Sequence, residues 1–275
     1  MRYSKEFIGE TLGTFLLVLF GCGSVAVSVL FEAYQGILQI ALVWGIGAIL
    51  AIYATRHLSC AHLNPAVSLA MYFSKRMKAS KLPVYLLGQF SGAILAGLTV
   101  YLLFNPSITA FETMHKIVRG SAESMQTAKM FGEYYANQTG KAVVSLPLAM
   151  VAEGFGTFLL LLMIFALTEG CNIGRPNDAL APMFIGLTVT SIICLIAPLT
   201  QAGLNPARDF GPRLVAWLFG WNDAAFPDHS GGFFFVYILS PVLGGVVASW
   251  FFVKVLEPAM KKSSGSCGCN EECGK

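Results

Sequence analysis

The chain has 275 residues, of which 55% are hydrophobic and only 33 are charged, 18 Lys+Arg against 15 Asp+Glu. Soluble domains carry about a quarter charged residues, and here the net charge of +3 is spread along the chain instead of forming a basic patch. A soluble enzyme and a nucleic-acid binder are both excluded.

Apolar runs cover 7–30, 35–55, 82–105, 142–168, 179–200 and 232–253, each longer than the ~18 residues that mark a bilayer span. They predict six membrane helices. The first follows Arg2 and Lys5, as a signal peptide would. It is nevertheless 24 residues long with Glu10 inside it, whereas a cleaved apolar region has only ~7–15 residues, so a permanent span is expected. The connection from Phe31 to Tyr34 has no Lys or Arg, the second connection carries Lys75, Arg76, Lys78 and Lys81, the fourth carries Arg175, and Lys261 and Lys262 follow the last span. By the positive-inside rule both termini are expected in the cytoplasm; the expected location is a plasma (inner) membrane. The third connection, 106–141, mixes basic residues with Glu112, Glu123 and Glu133, and it contains the glycosylation-like triplet Asn137-Gln138-Thr139.

Cys22, Cys60, Cys171 and Cys194 lie in or beside the spans and read as small apolar thiols, with no disulfide framework implied. Cys267, Cys269 and Cys273 form a C-x-C-x3-C pattern in the tail. It suits either a soft cation or trivalent arsenic, or a solvated tail of idle thiols in a reducing compartment.

The chain repeats itself. Glu10-Thr-Leu-Gly-Thr-Phe-Leu-Leu returns as Glu153-Gly-Phe-Gly-Thr-Phe-Leu-Leu, and Leu63-Asn64-Pro65-Ala66 returns as Leu204-Asn205-Pro206-Ala207. Three spans per copy is an odd number, so the copies enter the membrane from opposite sides. Such an inverted repeat has its functional centre at the repeat interface. The segments after each Asn-Pro-Ala are apolar but too short to cross, since ten residues from Asn64 to Phe73 reach ~15 Å. They read as half-helices that dip into the membrane, tolerable only where the irregular backbone is buried in protein or lines a watery cavity. Asn suits the N-cap and Pro the first helical position, which would leave both N–H donors of each amide facing the lumen.

The expected fold is therefore an all-α membrane protein with six transmembrane helices plus two re-entrant half-helices in an inverted repeat. One channel domain spans 1–256, with repeats at about 6–105 and 142–256 joined by 106–141. A cytoplasmic, Cys-containing tail covers 257–275. Glu10 and Glu153 each need partners at mid-membrane, and His62 has no catalytic partner set, so it lines the pore or braces the loop.

These motifs, with Gly92-Ala-Ile-Leu-Ala96 in the third span, Ser59-Cys-Ala-His62-Leu-Asn64-Pro-Ala-Val67 and Gly203-Leu-Asn205-Pro-Ala-Arg208-Asp209-Phe-Gly-Pro212, resemble the major intrinsic protein family of aquaporins and glycerol facilitators over residues 6 to about 256. The resemblance implies a homotetramer in the lipid bilayer with one pore per subunit, without enzymatic activity or cofactor. Its solutes are glycerol, water and other small neutral molecules such as arsenous acid. Protons and ions are stopped, as in aquaporin-type pores, by an Arg and by half-helix dipoles. It assigns Glu10 and Glu153 to holding the two loops. Asp209 after Arg208, with Arg213 four residues on, is a facilitator trait, as is Pro241-Val242.

Spacing from the asparagines carries over a constriction of Trp44, Ile193, Ala202 and Arg208. Trp44 and Arg208 follow the facilitator pattern. Ile193 and Ala202 depart from it and resemble the nodulin-26-like channels. The alternative reading is a water-selective aquaporin.

Overall fold

The computed structural model describes residues 4–34, 36–135, 143–226 and 232–264. In chain order the helices are α1 (Ser4–Phe31), α2 (Ile37–Thr55), the short α3 (Pro65–Phe73), α4 (Leu82–Met114), the single turn α5 (Met125–Ala128), α6 (Leu146–Thr168), α7 (Ala181–Thr200), the short α8 (Pro206–Ala216), α9 (Ser240–Phe251) and α10 (Glu257–Ser264). Six continuous helical stretches, Lys5–Phe31, Ile37–Thr55, Ala79–Met114, Leu146–Thr168, Ala181–Thr200 and Phe234–Lys261, are long and apolar enough to cross a membrane. Their outward faces keep large apolar side chains uncovered: Leu102 and Leu103 are each 65% exposed and Trp250 62%. Such surfaces suit lipid and not water.

Two stretches differ from the sequence expectation. The third span continues through Asn105-Pro106 to Met114, although an internal Pro removes a helix hydrogen bond. The extension buries Ile108 and Glu112. It also lets Glu112 accept from Arg119 Nε at 3.0 Å and Thr127 Oγ1 at 2.8 Å, which offsets the lost bond. The last helix, widened by π-helical turns at Phe252–Leu256, carries on to Ser264 instead of ending at the membrane edge.

Packing places the two short helices centrally. α1 lies against α4 and α6 against α9, while α3 packs on α9 and α8 on α4, so each short helix is held by a long helix of the other half. α2 and α7 cross where small residues let their backbones approach. A Cβ added at Gly45 would lie 2.6 Å from the Gly186 carbonyl oxygen and 2.0 Å from Thr190 Oγ1. That hydroxyl in turn donates to the Ala41 carbonyl at 3.1 Å.

Gly45→Val should therefore force α2 and α7 apart and lower both the thermal midpoint and the monodisperse fraction in detergent. Gly23→Ala, with nothing among the described residues within 4 Å of the added carbon, should leave both unchanged.

Candidate functional site

Asn64 and Asn205 begin α3 and α8. Each adopts extended backbone at the N-cap, and its side-chain oxygen accepts a free helix N–H: Asn64 from Ala66 at 2.8 Å, Asn205 from Ala207 at 3.1 Å and Arg208 at 3.2 Å. Pro65 and Pro206 occupy the first helical position, where a missing N–H costs nothing. The amide nitrogens reach across the centre. Asn64 Nδ2 donates to the Leu204 carbonyl at 3.0 Å, and Asn205 Nδ2 donates to the Leu63 carbonyl at 2.8 Å. This corrects the expectation that both N–H groups of each amide face the lumen: one is spent on the opposite loop, because a buried carbonyl without a donor costs about 1–3 kcal/mol.

The backbone leading to each Asn is strained. Ala61, Leu63, Gln201, Ala202 and Leu204 all have φ between 48 and 64°, a left-handed conformation costing roughly 1–2 kcal/mol per non-glycine residue. Two buried carboxylates hold it. Glu10 accepts from the N–H of His62 at 3.0 Å and of Leu63 at 2.8 Å, and Glu153 accepts from Gly203 at 2.9 Å and Leu204 at 2.7 Å. Glu10 has further donors in Ser59 Oγ and Gln89 Nε2. His62 lines the cavity and also braces its loop, with Nδ1 3.1 Å from Ser68 Oγ and its ring against Tyr85. Gln89 and Ser68, which sequence reasoning passed over, complete this network.

One continuous cavity of about 1000 Å³ passes the two asparagines. Trp44, Ile193, Ala202 and Arg208 line it together, and so do the charged residues Arg56, Lys75, Arg76, Glu169, Arg175 and Glu257. The Arg208 guanidinium carbon sits 4.3 Å from the centre of the Trp44 ring, a cation–π contact. Gly21 makes room for that ring, since a Cβ there would fall 2.2 Å from it. Arg213 pairs with Asp209 at 2.8 Å one helical turn away, and its guanidinium also reaches the carbonyls of Ala225 and Glu133.

Glu133 is a member of this site that sequence reasoning did not single out. It lies in the third connection, and its carboxylate forms a buried ion pair with Arg208 Nη2. Its own N–H donates to Asp209 at 2.8 Å, and the Tyr134 N–H donates to Gln201 Oε1 at 2.8 Å. Burial pushes the Glu133 carboxyl up to about 7, against the pull of Arg208 in the other direction. Arg208 Nη1 is buried with no hydrogen-bond partner among the described residues. Ile117, Met130, Phe131 and Tyr134, large apolar or aromatic residues in this connection, are all buried and are the sequence signal that the segment turns inward.

Cys60 corrects a second expectation. It lines the cavity and is disulfide-bonded instead of being an apolar thiol, while Cys22, Cys171 and Cys194 remain thiols. Cys267, Cys269, Cys273 and the Asn137 triplet lie outside the described residues.

Asn64→Ser separates the two duties of the asparagine, because serine still caps a helix but is too short to reach the Leu204 carbonyl. Its thermal midpoint should fall below wild type, and that of Asn64→Ala should fall further, as read by scanning fluorimetry in detergent.

Residues 1–252 match the family model described as major intrinsic protein. The chain is 38% identical over 270 residues to the glycerol uptake facilitator protein of Haemophilus influenzae, covering 97% of this chain and 96% of that one. It is 41% identical over 239 residues to the propanediol uptake facilitator PduF of Salmonella typhimurium, covering 86% and 87%. Among solved structures, the aquaglyceroporin from Plasmodium falciparum superposes with a TM-score of 0.81 at 28% identity, covering 94% of this chain and 99% of that one. With this fold, and with two Asn-capped helices joined tip to tip, the chain belongs to the major intrinsic protein family.

Proposed function

We propose that the protein is a passive transmembrane channel for small uncharged solutes, glycerol and water foremost, that excludes protons and ions. The observation that carries the reading is the convergence of Trp44, Ile193, Ala202 and Arg208 on one cavity that continues past Asn64 and Asn205. In this reading residues 1–256 act as one channel unit, 6–105 and 142–256 being inverted repeats joined by 106–141. α3 and α8 are re-entrant half-helices, and the protein works as a homotetramer in a plasma (inner) membrane with both termini cytoplasmic. The names of the two bacterial relatives, facilitators of glycerol and propanediol uptake, support small polyols as the solute class.

The residues divide the work. Trp44 offers an apolar wall to a carbon backbone, while Arg208 Nη1 and the remaining N–H of each asparagine donate to hydroxyl oxygens. Helix N-termini carry roughly half a positive charge each, so the facing ends of α3 and α8, with Arg208 beyond them, repel cations. A neutral solute regains hydrogen bonds in such a passage, whereas a desolvated ion forfeits tens of kcal/mol. Asp209 and Arg213 brace α8, and Glu10 and Glu153 hold the two loops. Only one aromatic residue stands in the constriction. The set of Trp, Ile, Ala and Arg is in this respect nodulin-26-like, and it admits uncharged metalloid hydroxides such as arsenous acid beside glycerol.

Stopped-flow light scattering on proteoliposomes with a panel of neutral solutes tests this directly. Glycerol permeability should stand well above that of protein-free vesicles, without proton conductance. Rapid water flow with glycerol excluded would instead establish a water-selective aquaporin. In the same assay Ala202→Phe should reduce flux of glycerol and arsenous acid more than flux of water, because the ring fills space that a methyl leaves open. Equal loss for all solutes would move the constriction elsewhere.

The Glu133–Arg208 pair gives a pH dependence. As pH falls through about 7 the raised Glu133 carboxyl takes up a proton, its hold on the guanidinium weakens, and the Arg208 donors become available to solute. Glycerol permeability should therefore rise between pH 8 and 6, and Glu133→Gln should show the higher value at both pH values.

A further inference from the structure

Glu10, Gln89, Ser68 and His62 form one hydrogen-bonded chain that runs from the loop brace to the cavity wall. We infer that this chain fixes the His62 imidazole as the tautomer with its proton on Nε2. His62 then stands in the passage as a further hydrogen-bond donor to solute, with Ser68 and Gln89 as its positioning residues. The effect on solute rests on the channel reading above; the tautomer does not.

The direction of each bond follows from the one before it. A carboxylate only accepts, and Glu10 is met by Ser59 Oγ at 2.7 Å, the N–H of His62 at 3.0 Å, the N–H of Leu63 at 2.8 Å and Gln89 Nε2 at 2.7 Å. Gln89 must therefore turn its amide nitrogen, not its oxygen, toward Glu10. The second N–H of that amide donates to Ser68 Oγ at 2.8 Å, while Oε1 is left buried with no partner among the described residues. Ser68 has one proton to give, and Gln89 already occupies a lone pair of its oxygen. Among the described residues the further partner of that hydroxyl is His62 Nδ1 at 3.1 Å, which receives the proton. The ring's partners are Ser68 and Tyr85, neither of them a carboxylate, and a buried imidazolium without a counter-charge is costly. A neutral imidazole that accepts at one nitrogen carries its proton on the other.

The matched loop of the other repeat shows that bracing alone does not call for this ring. The offset that carries Leu63 to Leu204 carries His62 to Gly203. A Cβ at Gly203 would fall 2.6 Å from the Tyr237 ring, so no side chain fits there, yet Glu153 still accepts its N–H at 2.9 Å. The backbone of His62 meets Glu10 in the same way, which leaves the imidazole to a separate task. His62 lines the cavity and is 8% exposed; with Nδ1 turned to Ser68, Nε2 is the nitrogen left for the lumen. A hydroxyl oxygen passing it accepts from Nε2–H and keeps its own proton for another acceptor. The opposite tautomer would present a lone pair and take that proton instead.

The test uses the full chain in lipid bilayers with isotope-labelled histidine. The sequence has four histidines, so His57→Gln, His115→Gln and His229→Gln together leave His62 as the single labelled ring. Carbon–nitrogen correlation by solid-state NMR should show a protonated Nε2 and an unprotonated Nδ1. Ser68→Ala and Gln89→Met in that background should each give a mixture of tautomers, whereas Ser68→Thr, which keeps the hydroxyl, should retain the Nε2 form. In proteoliposomes Ser68→Ala should lower glycerol flux several-fold, and Ser68→Thr should recover most of it. A proton on Nδ1 in the His62 ring with Ser68 and Gln89 in place overturns the inference, whether or not the variants at those two positions fold. An unchanged tautomer in Ser68→Ala or in Gln89→Met overturns the relay, and unchanged flux beside a changed tautomer overturns the donor role. Absence of glycerol flux in the wild type would count against the channel reading, while the spectrum still decides the tautomer.

Discussion

The structure depends on how backbone polar groups are satisfied where the chain leaves helical geometry inside an apolar slab. Helices satisfy their own N–H and C=O groups; the segments 60–63 and 201–204 cannot. An unsatisfied group in hydrocarbon costs several kcal/mol, so every such group needs a designated partner. Glu10 and Glu153 take the N–H groups, and Asn64 and Asn205 donate to the carbonyls of Leu204 and Leu63. Each asparagine thus caps its own helix and pins the opposite loop, which locks the two short helices together at their N-terminal ends.

The same arrangement explains why charged groups sit so deep. Glu10, Glu153, Asp209 and Arg213 are all at most 1% exposed, and an acidic group at mid-membrane costs about 2.5–3.5 kcal/mol on insertion scales. None of them is isolated. Each glutamate spends its oxygens on loop N–H groups, and Asp209 and Arg213 pair with each other while tying α8 to the third connection. The carboxylates of Glu10 and Glu153 hold backbone whose φ values lie in the left-handed region before each asparagine.

Arg208 is treated differently from Arg213. Arg213 has every nitrogen engaged with Asp209 or a carbonyl. Arg208 gives Nη2 to Glu133, lies against the Trp44 ring and lines the cavity, with no hydrogen-bond partner for Nη1 among the described residues. A buried donor left without a partner in a folded protein calls for an explanation, and in the proposed channel a solute oxygen would supply it. Two arginines five residues apart thus differ in that the donors of one are fully engaged and those of the other are not, among the described residues.

Much of this was legible in the sequence because its causes are local or periodic. Six long apolar runs fixed the number of spans, the Asn-Pro-Ala pairs marked two helix starts through capping chemistry, and the matched Glu10 and Glu153 stood out as acids in apolar surroundings. The i,i+4 spacing of Asp209 and Arg213 was enough to pair them. What depended on distant partners was not legible. The span beyond Asn105-Pro106 persists because Glu112 finds Arg119 and Thr127 in the following loop, against the local rule for proline. Glu133 looked like one more loop charge until folding brought it to Arg208, 75 residues away. The number of asparagine N–H groups left for the lumen changed when carbonyls 140 and 142 residues away claimed one each. Local sequence sets which segments cross the membrane and where helices begin; only tertiary packing assigns hydrogen-bond partners to buried polar groups, because those partners come from elsewhere in the chain.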